Sequence, residues 1–175
     1  MSKYFFIFIM LISFSAFAVE PKIKIELENK DNNLRLYLIN NDEHDVLINT
    51  CFSLKPYPSS PPDVQFEIVN KEGEKFPFDG FLLNETDLGE DNIVLLKYRH
   101  IVGYDFHITY LMSCYYLHAG IYKARVTYEN TRWADKGVYI GRLTSNWVTF
   151  EVTEALINKI RNKAESYIIK PNSKQ

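Results

Sequence analysis

Tyr122-Lys123-Ala124-Arg125-Val126-Thr127-Tyr128 is the stretch whose reading decides the fold. Tyr122, Ala124, Val126 and Tyr128 alternate with Lys123, Arg125 and Thr127. A period of two places the first set on one face of a β-strand and the second on the other. One face for a core and one for water is the habit of antiparallel sheets.

The same alternation recurs on both sides of this segment. Ile23, Ile25 and Leu27 alternate with Lys22, Lys24, Glu26 and Glu28. Leu34, Leu36 and Leu38 alternate with Arg35, Tyr37 and Ile39, and Val46 and Ile48 follow the polar turn Asn40–His44. Val64, Phe66 and Ile68 alternate ahead of Asn70-Lys71-Glu72-Gly73. Phe106, Ile108 and Tyr110 extend the pattern towards Leu111, and Val148, Phe150 and Val152 close it. Seven or more short strands separated by turn chemistry predict an all-β, antiparallel β-sandwich over residues 19–152.

Two stretches depart from that period. Pro56-Tyr57-Pro58-Ser59-Ser60-Pro61-Pro62 cannot be a central strand, because proline brings no donor to the ladder, so it is expected to be a stiff loop. From Thr153 the spacing turns helical, with Ile157, Ile160, Ala164, Tyr167 and Ile168 on one face. Thr153 suits the cap, Glu154 the first turn and Pro171 the end, so residues 153–175 are expected to form a short basic amphipathic helix and tail. Packing against the sandwich, or fraying, is the expectation for so short a helix, and contact with an anionic membrane or a partner groove is the alternative.

The chain begins Met1-Ser2-Lys3, followed by an almost unbroken apolar run from Tyr4 to Phe17 that ends in Ala16-Phe17-Ala18. A positive start, an apolar middle and a small-x-small end predict a secretory signal peptide over residues 1–18. The run is too short for a membrane anchor, and no integral span is expected in the mature chain. That chain would start at Val19 in a periplasmic or external compartment.

Lys3 is the only charged residue of the leader, so cleavage takes the formal charge of the chain from −2 to −3. The five cations and two anions of residues 153–175 leave the body acidic. An acidic body lacks the basic stripe that phosphates need, so nucleic acid is not an expected partner. Two cysteines, Cys51 and Cys114, remain after cleavage. In an oxidising compartment an even pair is expected to form one disulfide, closing a loop of about 64 residues for roughly 4 kcal/mol. The rival reading, a reactive thiol, has no C-x-x-C and no basic cluster behind it.

Leu117-His118-Ala119-Gly120-Ile121-Tyr122 resembles the entry to the penultimate strand of an immunoglobulin-like domain. The resemblance implies that the Tyr122 hydroxyl ties back to backbone upstream, as a tyrosine corner. Ala124 stands where a true immunoglobulin domain has its second cysteine, so the usual inter-sheet disulfide is not implied. Residues 116–152, with Gly120-Ile121-Tyr122 and Val138-Tyr139-Ile140-Gly141-Arg142-Leu143-Thr144-Ser145-Asn146-Trp147-Val148-Thr149-Phe150, resemble the C-terminal half of a group of uncharacterised bacterial exported proteins with this fold. The group implies a fold, not an activity.

Candidate sites are few. His44, His100, His107 and His118 show no zinc-binding spacing, so no metal site is expected from them. Asn84–Asn92 is rich in oxygen but lacks the order of a calcium loop. No nucleophile or phosphate-binding motif occurs, so neither a catalytic residue nor a cofactor is predicted. Tyr57 in the proline loop, and Trp133 and Tyr139 before the last strands, are the candidate protein-binding residues, because loop aromatics make good anchors. The expected function is a non-enzymatic exported module that binds a protein, with an inhibitor or immunity protein as one version. An envelope structural or adhesive component, and a hydrolase whose site is assembled from distant residues, are the alternatives.

Overall fold

The computed structural model describes residues 22–54, 62–80 and 89–168. The proposed leader, the proline loop with Tyr57, most of the oxygen-rich stretch and the extreme C-terminus lie outside the described residues.

The chain is mostly antiparallel β-sheet with two helices. One sheet holds β1 (Ile23–Lys30), β2 (Asn33–Asn40) and β7 (Ile101–His107), in the order β1-β2-β7. The two-residue link between β1 and β2 places Asp31 and Asn32 at φ 52 and 61. Both need left-handed backbone, which Asp and Asn tolerate, and such turns match the natural strand twist. The second sheet runs β10 (Val148–Val152), β8 (Gly120–Asn130), β4 (Val64–Asn70) and β5 (Lys75–Phe76). β9 (Gly141–Thr144) pairs with β8 beyond β10. A small third sheet pairs β3 (Val46–Asn49) with β6 (Ile93–Leu96).

The two larger sheets share one core. Leu34, Leu36 and Leu38 of β2 are fully buried, as are Ala124, Val126 and Tyr128 of β8. Phe106 of β7 meets Phe66 of β4 edge to face at 5.1 Å, which joins the sheets in the middle. The alternation that predicted the strands is therefore the division between core and solvent.

β9 and β10 are one strand with a fault in it. Thr144 faces Thr127 and Val148 faces Ala124, so Ser145, Asn146 and Trp147 stand opposite only Arg125 and Val126. This is a β-bulge. Ser145 repairs the ladder there: its N–H donates to the Val126 carbonyl, and its hydroxyl accepts from the Val126 N–H, both at 2.9 Å. Asn146 is turned towards the other sheet. It accepts from the Leu27 N–H at 2.9 Å and donates to the Leu27 carbonyl at 3.0 Å, as a neighbouring strand would.

The expected strand through Phe106, Ile108 and Tyr110 stops at His107. Residues Ile108–Tyr115 form helix α1 instead. The His107 imidazole Nδ1 accepts from the Thr109 N–H and so caps the helix. Ile108, Leu111, Met112 and Tyr115 then fall on its buried face at helical spacing. The apolar run satisfied both periods, and the cap decided between them. Tyr116, at φ 48, ends the helix.

Helix α2 (Glu154–Ile168) follows β10, and the Thr153 hydroxyl accepts from the Leu156 N–H at 3.3 Å, as its place before the helix predicts. Leu156, Ile157 and Ile160 pack against the core, so the start of the helix docks beside α1. No helix among the described residues is long and apolar enough to cross a membrane.

The expected Cys51–Cys114 bridge is not formed in this structure. Cys51 bonds through its N–H to Asn49, whose carbonyl accepts the Tyr128 hydroxyl near the far end of β8. Cys114 is buried on α1, just before the chain enters β8 at Gly120.

Candidate functional site

The loop 131–140 joins β8 to β9 and carries both Trp133 and Tyr139. Asn130, the last residue of β8, is fully buried and clamps both ends of the loop. Its side-chain amide donates to the Tyr139 carbonyl at 2.7 Å and to the Arg132 carbonyl at 3.2 Å. Its oxygen accepts from the Arg132 N–H at 3.2 Å and from the Asn49 amide at 3.4 Å.

Asn49, the last residue of β3, is equally buried and extends the network to Asp63 at 3.1 Å. The Asp63 carboxylate is almost wholly removed from solvent, and Arg132 forms an ion pair with it. A buried charge is tolerable only when paired and hydrogen-bonded, so Arg132 is held in place by the need to neutralise Asp63. The Tyr128 hydroxyl donates to the Asn49 carbonyl at 2.9 Å from the core side. Burial, and then the charge of Asp63, push the Tyr128 hydroxyl well above the usual tyrosine range.

The return leg of the loop is fixed as well. The Tyr139 N–H donates to the Leu47 carbonyl at 2.8 Å, and Val138 forms a parallel bridge with Leu47. Lys136 forms an ion pair with Glu90, just ahead of β6. The loop is thus pinned to β3, to Asp63 and to the approach of β6, and its outer surface is presented on a rigid base.

Trp133 sits at the turn of this loop, half-buried, at φ 60 and ψ 34. A bulky residue in the left-handed region is uncommon and costs of order 1–2 kcal/mol. The hydrogen bonds on either side over-determine that conformation. The Arg132 guanidinium lies over the indole, 5.1 Å from the ring centre. Trp133 and Arg132 therefore form one stacked aromatic and cationic unit, with Arg132 fixed from beneath by Asp63.

Tyr139 has a different place. Its ring packs against the core, and burial raises the pKa of its hydroxyl. It also lies against Gly141, where an added Cβ would come within 2.8 Å of the tyrosine oxygen. Tyr139 is thus partly committed to the core, whereas Trp133, of similar partial exposure, is not packed against it. Tyr57 lies outside the described residues, though Asp63, just after its loop, belongs to the network.

Two imidazoles have local partners: His107 caps α1 and His44 meets Asp42 at 3.4 Å, while His118 contributes its backbone carbonyl to Tyr122. Among the described residues no group of three or more His, Cys, Asp or Glu side chains is placed to hold a metal ion. Sequence reading names Trp133 but not Asn49, Asp63, Asn130 or Arg132, which the fold gathers beside it. Asn and Asp at strand ends read as turn residues, and nothing in their spacing shows that three separate ends converge. No protein-family model matches the chain, and no curated protein matches it.

Proposed function

We propose that this chain is an exported, non-enzymatic binding module with an immunoglobulin-like sandwich, and that the loop 131–140 is its contact surface for a protein partner. The observation that carries the reading is the way Trp133 is presented. A tryptophan in a strained conformation, stacked by Arg132, is supported by a buried ion pair and two buried asparagines. Tryptophan and arginine are the residues that most often dominate protein interfaces, and pre-ordering them lowers the entropy lost on binding.

The leader-like N-terminus favours a partner met outside the cytoplasm. An inhibitor or immunity protein acting in the periplasm is the concrete version of this function. The test is affinity capture from envelope extract with the wild-type chain and with Trp133→Ala side by side. One stoichiometric protein held by the wild type and lost by the variant supports the reading. Equal capture by both sinks the loop as the contact surface.

A further inference from the structure

β1 pairs with β2 along one edge; its other edge is bonded to the β9–β10 strand at Leu27 and at Asn29, whose amide donates to the Thr149 carbonyl at 2.9 Å, and borders a groove from Ile23 onward. The groove has a volume of about 500 Å³ and is walled by Ile23–Leu27 on one side and Leu143–Asn146 on the other. On this edge the Leu27 N–H and carbonyl are taken by the Asn146 amide. Residues two apart in a strand direct their backbone groups to the same edge. Ile25 and Ile23 therefore turn their N–H and carbonyl groups towards the same side as Leu27. An exposed strand edge is a template for another strand.

The sequence of β1 identifies which strand. Lys22-Ile23-Lys24-Ile25-Glu26-Leu27-Glu28 is complementary to its own reverse. Laid antiparallel to a second copy about Ile25, Lys24 faces Glu26 and Lys22 faces Glu28 of that copy. On the inner face Ile25 faces Ile25, and Ile23 faces Leu27. Lys24 and Glu26 have about half of their side-chain surface exposed and pair with each other along the strand at 2.7 Å. Both charges are thus at the surface and able to exchange that contact for the cross-strand one. Opposite charges directly across a strand pair are favourable and like charges are not.

We infer that two copies of this chain associate through β1, antiparallel about Ile25, so that β7-β2-β1 continues into the β1-β2-β7 of the second copy. The two-fold axis makes the contact self-complementary, and each charge pair occurs twice. Asn146 tunes the association. Its amide occupies the Leu27 groups that Ile23 of the second copy would take, so the side chain and the second strand compete for one position. This inference concerns the edge of the sheet and does not depend on the role of Trp133.

Sedimentation velocity over a wide concentration range, on the chain as isolated from expressing cells, tests it. The wild type is expected to show a monomer–dimer equilibrium. Lys24→Glu turns both central charge pairs into repulsions and should weaken the dimer about tenfold. Adding Glu26→Lys to that variant restores the opposite charges and should restore the dimer. Asn146→Ala clears the edge and should tighten it. Circular dichroism melts establish that each variant is folded. A folded wild type that stays monomeric throughout, or a dimer indifferent to Lys24→Glu, would overturn the inference. So would failure of the charge swap to restore association.

Discussion

The Tyr122 hydroxyl donates to the carbonyl of His118 at 2.9 Å, four residues back along the chain. The ring is buried, stacked on Phe150 at 5.5 Å and met edge-on by Phe76 at 5.4 Å. This bond fixes how the chain turns from α1 into the central strand of the larger sheet. Tyr122→Phe keeps the ring and removes the bond to a carbonyl that water can still reach, and should cost about 0.5–1.5 kcal/mol in denaturant unfolding. Trp133→Ala should stay within about 0.5 kcal/mol of wild type, because it removes a half-buried ring from a loop held by other residues. The reverse order of sensitivity would mean that Trp133, not Tyr122, is the structural residue.

Arg132 and Asp63 should be far more sensitive than any charge pair on the surface. Removing Arg132 leaves a carboxylate in the interior, and breaking a buried pair typically costs about 3–5 kcal/mol. Arg132→Ala should show a loss of that order in equilibrium unfolding. The double variant Arg132→Met with Asp63→Leu should recover much of it, since no charge is then buried. A double variant as unstable as Arg132→Ala would show that the pair is required for more than charge balance.

How much of this was legible follows from which physics each element uses. The residues of β2 and β8 declare themselves because burial on one face writes a period of two directly into the sequence. Thr153 and the Ile157–Ile160 face of α2 were equally visible, since a cap and a helical stripe are local signals. α1 was not, because Phe106, Ile108 and Tyr110 alternate as a strand would and the His107 cap is an unusual one. The network beneath Trp133 joins residues 49, 63, 130 and 132, which only the folded chain brings together. The expected Cys51–Cys114 bridge is absent from this structure, and compartment and parity say nothing about where the fold carries each cysteine.

Asn146 is the polar staple between the sheets. Its amide takes both backbone groups of Leu27, 119 residues away in sequence. Asn146→Ala should cost about 1–2 kcal/mol, the net worth of two partly exposed hydrogen bonds. Asn146→Asp keeps an acceptor for the Leu27 N–H but loses the donor to its carbonyl. It should therefore be no more stable than the alanine variant at neutral pH. Hydrogen exchange at Leu27, measured at concentrations where the chain is monomeric, reports the contact directly, and protection there should fall in the alanine variant. Unchanged protection would show that the edge of β1 is covered by something other than Asn146.

Glu67 makes stability sensitive to acid. Hydrogen bonds from Lys75 and Arg125 hold its carboxyl below the usual glutamate range. A depressed folded pKa gives stability that is present above the unfolded value of about 4.3 and is lost as pH falls through the folded value. Glu67→Gln should therefore be less stable than wild type at neutral pH, and the gap should close as the pH falls below about 4. A gap that does not change with pH would show that the loss comes from side-chain packing and not from the charge.

Tyr128 should set part of the alkaline limit. Its hydroxyl is buried, donates to the Asn49 carbonyl, and must stay protonated to do so. Burial raises its folded pKa above the ordinary value of about 10. A raised folded pKa means stability that is fully present below the unfolded value and is lost as pH rises through the folded one. Tyr128→Phe should cost about 1–3 kcal/mol at neutral pH, where the Asn49 carbonyl loses its donor. Above about pH 10 the wild type pays to keep the phenol protonated, and the variant does not. Unfolding midpoints of the two proteins should therefore converge as the pH rises, with Tyr115 leaving a shared alkaline slope in both, because burial raises its hydroxyl as well. Parallel curves would place the alkaline sensitivity elsewhere and leave Tyr128 as a packing residue whose hydroxyl titrates no differently when the chain unfolds.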